Sequence, residues 1–156
     1  MSRGRKAINK FKKLPPFVPL PWKILNHQAY KELPPSASKA LPYFLGKVKM
    51  DYYDPNRLTT EFSFPYDEAE SLGFAPGTFS KVIQDLVKYG FIDPKEKGGL
   101  RGEGKSNNLF CLSERWKLFG QENFQFVDWK CFFPRQKPLQ KVKRTTSIYE
   151  KDAVNL

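Results

Sequence analysis

Apolar residues recur at helical spacing from Pro76 to Tyr89, the clearest pattern in the chain. Phe79, Val82, Ile83, Leu86 and Tyr89 fall where one face of a helix would carry them, with Thr78, Ser80, Lys81, Gln84 and Lys88 opposite. Pro76 suits a first helical position, and Gly90 suits the left-handed residue just past the end. A shorter amphipathic segment, Pro65 to Leu72, comes before it across a turn at Gly73-Phe74. Two strand-like runs follow, Phe91-Ile92-Asp93 and Asn108 to Leu112, separated by a glycine-rich loop. Upstream, Leu58 to Phe64 (LTTEFSF) alternates apolar and polar residues and predicts a third strand after a turn at Asp51–Asn56. Ala37, Leu41, Phe44, Leu45 and Val48 predict a helix over 37–49, with Ser36 as its N-cap. Pro42 removes one of its backbone hydrogen bonds, so a kink is expected near Ser38–Pro42. Trp22 to Leu33 reads as a short helix or two turns, with Trp22, Leu25, Ala29 and Leu33 inward. Pro15 to Pro21 is a stiff strap expected to lay Phe17, Val18 and Leu20 across the core. Ser113 to Gly120 is expected to seat Trp116 and Phe119 on that core.

Two short helices, a tight turn and a β-hairpin with a long tip describe a winged helix-turn-helix, and the chain resembles that family here. Ala69 is followed four positions later by Gly73 at the turn, then by Phe79 and Val82 at the family's core positions. The run LVKYGFID looks like the passage from recognition helix into wing. The opening FVPLPWKILNHQAYKELPPSASKAL resembles small helix-turn-helix proteins encoded on bacterial plasmids, prophages and integrative elements. One departure stands out: Ala75 occupies the place where a Ser or Thr N-cap is usual, leaving uncapped N–H groups that a phosphate or water would satisfy. The resemblance implies an α+β, mainly α fold of three or four helices and a small antiparallel sheet with a hairpin wing. It divides the chain into a basic arm (1–14), a winged-helix domain (15–120), an aromatic docking extension (121–133) and a basic tail (134–156).

Charge sharpens this picture. The formal net charge of +11 sits at the two ends, because the bases and acids of residues 14–129 balance. The first arm carries Arg3, Arg5, Lys6, Lys10, Lys12 and Lys13 with no acid, and the last carries Lys137, Lys141, Lys143 and Arg144 among its bases. Such arms grip a polyanion non-specifically, although they also serve solubility or bind anionic membranes and RNA.

Other chemistry is sparse. Gly99 to Ser106 (GLRGEGKS) matches the phosphate-binding-loop pattern in form but precedes a strand instead of the helix that the loop requires. As a wing tip, the same stretch places Arg101, Lys105 and Asn107 within reach of a phosphate or minor groove. His27 has no neighbours for catalysis and reads as a boundary residue. Cys111 and Cys131 have no metal or disulfide spacing, and Cys111 reads as a small buried hydrophobe. Phe124, Phe126, Trp129, Phe132 and Phe133, with Lys130 and Arg135 among them, form an aromatic run. Its first reading is an extension docked on the domain; a base-stacking platform or a partner interface are the alternatives. With no secretory core or apolar span, the chain is expected to be cytoplasmic.

The expected function is therefore non-enzymatic duplex DNA binding without a cofactor, in transcriptional regulation or in replication and maintenance of a mobile element. Lys81 and Gln84 are the candidates for base edges, and Thr78, Ser80 and Lys88 for phosphates. Asp85 and the acids Asp67, Glu68 and Glu70 argue against a groove-facing surface. A protein-interaction or assembly module, or RNA and single-strand binding through the tails, are the competing readings.

Overall fold

The computed structural model describes residues 15–98 and 107–129. Its helices are α1 (Trp22–Leu25), α2 (Gln28–Lys31), α3 (Pro35–Lys47), α4 (Tyr66–Ser71) and α5 (Pro76–Lys88). Its strands are β1 (Phe62–Ser63), β2 (Ile92–Glu96) and β3 (Leu109–Leu112), and 3₁₀ turns lie at Pro55–Leu58 and Arg115–Leu118. The three strands form one antiparallel sheet in the order β1-β3-β2. The class is α+β, with five described helices where three or four were expected, because Trp22–Leu33 forms two turns, α1 and α2, instead of one short helix.

The core forms where α3 and α5 lay their apolar stripes against each other and against the sheet. Phe44 of α3 is fully buried at its centre, its ring within about 6 Å of the rings of Phe62, Phe64, Phe79 and Phe110. Phe79 of α5 extends this cluster to Tyr66 and Phe74, tying the turn between α4 and α5 to the centre. Burial of one such ring contributes about 1.5–3 kcal/mol, and truncating it to alanine costs about 3–5 kcal/mol.

Several expectations need correction. The α5 stripe includes Val87, which is fully buried, whereas Tyr89 is half-exposed and packs on Phe119 at 5.0 Å between ring centroids. The helix over 37–49 begins two residues earlier, at Pro35. Ser36 is therefore an exposed first-turn residue, and Pro34 stands at the N-cap without a side-chain cap bond. Proline at the first helical position explains the early start, since its ring presets φ and the missing N–H would be unpaired there anyway. The helix ends at Lys47, two residues short of the expected end, with Pro42 inside it. Only Phe62 and Ser63 of the Leu58–Phe64 run form a strand. Leu58 ends a 3₁₀ turn that Asp54 caps through the N–H of Asn56, and the hydroxyls of Thr59 and Thr60 both donate to the Asn56 carbonyl. Those local bonds compete with the ladder for the same backbone.

The N-terminal strap is also less buried than expected. Phe17 and Val18 are exposed and only Leu20 packs against the core, although Val18 Cγ2 lies 2.9 Å from where a Cβ on Gly46 would sit. Trp22 is 77% exposed, and Ile24 takes the inward position beside Ala29 and Leu33. The chain breaks phase at Asn26-His27, so a single helical wheel across 22–33 misplaces its first turn. His27 caps α2, its Nδ1 accepting from the N–H of Ala29, and meets Trp116 edge-on at 5.1 Å. Pro94 lies inside β2, which is tolerated because β2 is an edge strand and its register slips between Pro94 and Glu96.

Candidate nucleic-acid interface

The local chemistry that presents α5 begins at Gly73. Its φ of +88° closes the turn after α4, and the N–H of Phe74 then donates to the Ala69 carbonyl. Ala75 stands at the N-cap with no side-chain cap bond, as its sequence implied. Gly77, Thr78 and Lys81 are exposed on the first turns, and nothing lies within 4 Å of a Cβ built on Gly77. This half of the helix is an open, convex, uncapped surface.

The other half is different. Gln84, Asp85 and Lys88 line a shallow cleft whose opposite wall is Phe126, Val127, Asp128 and Trp129. Gln84 and Asp85 are half-buried as a result, while Lys88 stays exposed with its ammonium near the Tyr89 ring. Burial raises the Asp85 carboxyl above its ordinary range, against the opposing pull of Lys81 and Lys88. Of the two expected base readers, Lys81 is thus openly presented and Gln84 is hemmed in by the aromatic extension. Among the expected phosphate ligands, Thr78 and Lys88 are exposed and Ser80 is half-buried.

The extension itself is docked at both ends of its described course. Phe124 packs edge-on against Phe119 at 5.4 Å, and Trp129 is buried on Phe110 at 5.5 Å. Phe126 between them is 62% exposed. Phe132 and Phe133 lie outside the described residues, as do Arg101 and Lys105, expected as wing contacts, and every basic residue named in the two arms. Asn107 is described and exposed, and Asn108 closes the hairpin base by accepting from the N–H of Gly98.

The sequence reading missed Arg115. Its Nε donates to Asp93 Oδ1 at 2.6 Å, its Nη2 to the carbonyls of Val87 and Ile92, and its Nη1 to the carbonyl of Gln125. One side chain therefore joins the end of α5, strand β2 and the extension. An arginine inside SERWKLFG carries no periodic signal; only its place beside Trp116, an apolar anchor, could have marked it. Cys111 is buried in β3, where burial foremost pushes its thiol pKa up, with Glu61 and Asp93 adding and Lys95 opposing. A thiol so placed is a poor nucleophile. No helix among the described residues is long and apolar enough to cross a membrane. Compared with protein-family models, with curated proteins and with solved structures, the chain gives no match.

Proposed function

We propose that the protein is a winged helix-turn-helix that binds duplex DNA without catalysis, with α5 as the helix that enters the major groove. The observation that carries this reading is the presentation of α5. Its first turns offer Gly77, Thr78 and Lys81 to solvent, with no neighbour over Gly77, at the end of the helix that such readers insert. The element order supports it: α3, β1, α4, α5, then the β2–β3 pair follows the winged-helix sequence of elements. In this reading Lys81 meets a guanine edge, Thr78 and Lys88 hold phosphates, and the Lys/Arg-rich arms supply salt-dependent affinity. Gln84 moves from base reader to a residue at the rim, because the extension occupies the space beside it. Regulation of transcription and replication or maintenance of a mobile element are both served by such a domain.

A second reading, a protein-interaction module, is favoured by one observation, the exposed Phe126 on an otherwise docked extension. Fluorescence anisotropy separates the two. The full chain and Lys81→Ala are titrated with a random-sequence duplex and a matched single strand across salt. The DNA reading expects duplex preference in the wild type and its loss in Lys81→Ala. Equal binding of both strands by both proteins refutes α5 as the reader.

A further inference from the structure

Away from the residues of α5, Pro21, Lys23, Tyr52, Tyr53, Arg57 and Lys117 line, with a few others, a cleft of about 530 Å³. Arg57 is its unusual member. It is only 8% exposed, yet no carboxylate among the described residues comes within 4 Å of its guanidinium. An arginine this deep is ordinarily paired, because an uncompensated buried cation is costly. Its guanidinium instead lies over the Tyr52 ring, 4.9 Å from the centroid. None of its nitrogens is both buried and unpaired, and the side chain lines the cleft, so an unpaired guanidinium nitrogen retains access to solvent. Two carboxylates also line the cleft: Asp54, which accepts from the N–H of Asn56, and Glu114, which is paired with Lys117; with Lys23 and Arg57 the lining keeps a net positive charge. Lys23 adds an exposed cation at the rim.

The aromatic wall narrows the ligand class. Tyr53 is 89% exposed and lines the cleft, and it meets the Tyr52 ring at 5.2 Å with the two planes nearly perpendicular, so most of its ring surface is open to solvent. A fork of N–H donors with one face already stacked fits a phosphate, and a free tyrosine ring beside it fits a planar base. The volume is in the range of small-ligand sites. We propose that this cleft binds a nucleotide unit, its phosphate on Arg57 with Lys23 and its base on Tyr53. The unit comes either from a single strand or from a free mononucleotide. The site is separate from α5 and stands or falls independently of duplex binding.

The test uses the full-length protein with two probes: AMP by calorimetry, and a fluorescein-labelled thymidine hexanucleotide by anisotropy at salt high enough to suppress the basic arms. Tyr53→Ala removes an exposed ring and leaves the fold alone; Arg57→Lys keeps the charge and loses the fork. Each is expected to weaken at least one probe by about fivefold or more, while Lys81→Ala changes neither. Loss confined to AMP assigns the free nucleotide as the source, and loss confined to the hexanucleotide assigns the strand. Wild-type affinity for both probes in Tyr53→Ala, or no binding of either probe by the wild type, overturns the proposal.

Discussion

Replacing Arg115 by methionine is the sharpest probe of how the α5 surface is held. The substitution keeps an unbranched side chain of similar length and deletes four donated hydrogen bonds. The bond to Asp93, 2.6 Å long, is charge-assisted, but Asp93 is a third exposed, so its loss costs about 1 kcal/mol after solvent screening. The carbonyls of Val87 and Ile92 are part-buried and lose their described side-chain donor, about 1 kcal/mol each. The Gln125 carbonyl is exposed, and water replaces the guanidinium there at little cost. The expected loss is about 3 kcal/mol in all. For an m-value of about 1.5 kcal/mol/M, that moves the urea midpoint down by about 2 M. Tryptophan fluorescence across a urea series reads it. Lys117→Ala is the control, since its pair with Glu114 is exposed on both sides and its removal costs under about 0.5 kcal/mol. An Arg115→Met midpoint within experimental error of wild type, or a Lys117→Ala loss of equal size, refutes the reasoning.

Other substitutions follow from the same geometry. Gly90→Ala is expected to destabilise by about 2–5 kcal/mol, because φ is +86° there and a Cβ would lie 2.6 Å from the Trp116 backbone nitrogen; urea denaturation measures it. Gly77→Ala, in an open helical position, is expected to stabilise by about 0.5–1 kcal/mol in the same assay. Asp85→Asn is expected to raise stability at neutral pH. Burial holds the folded carboxyl above its ordinary value, so ionising it opposes folding above the folded pKa, and the variant's gain vanishes as pH falls below the unfolded value. Melts at neutral pH and near pH 3 check that sign. Phe126→Ala is expected to leave stability within about 0.5 kcal/mol of wild type, since the ring is exposed; a larger loss in thermal melts would mean that it packs.

The helices and strands that rest on long-period patterning were readable in the chain. The stripe of α5, its stop at Gly90, the turn at Gly73 and the β2–β3 pair all follow from spacing and from glycines with positive φ. What failed was short. Over Leu58–Phe64 the alternation is genuine, but two threonine hydroxyls bonding one carbonyl outweigh it, and such bonds leave no period. Over Trp22–Leu33 a break at Asn26-His27 resets the helical phase and turns Trp22 outward. Of the candidate site, the exposure of Thr78 and Lys81 was legible from the wheel. The partial covering of Gln84 was not, because it depends on where residues 126–129 return to α5, some forty positions away. The same holds for Arg115 and for the Arg57 cleft, both made by residues distant in sequence.

The most direct test of the central claim is an amide-resolved NMR titration of the full chain with a duplex. The account predicts that the shifts concentrate at Gly77, Thr78 and Lys81 and fade toward Lys88. Shifts confined to the two arms and Phe126, with the first turns of α5 unmoved at saturation, would contradict it.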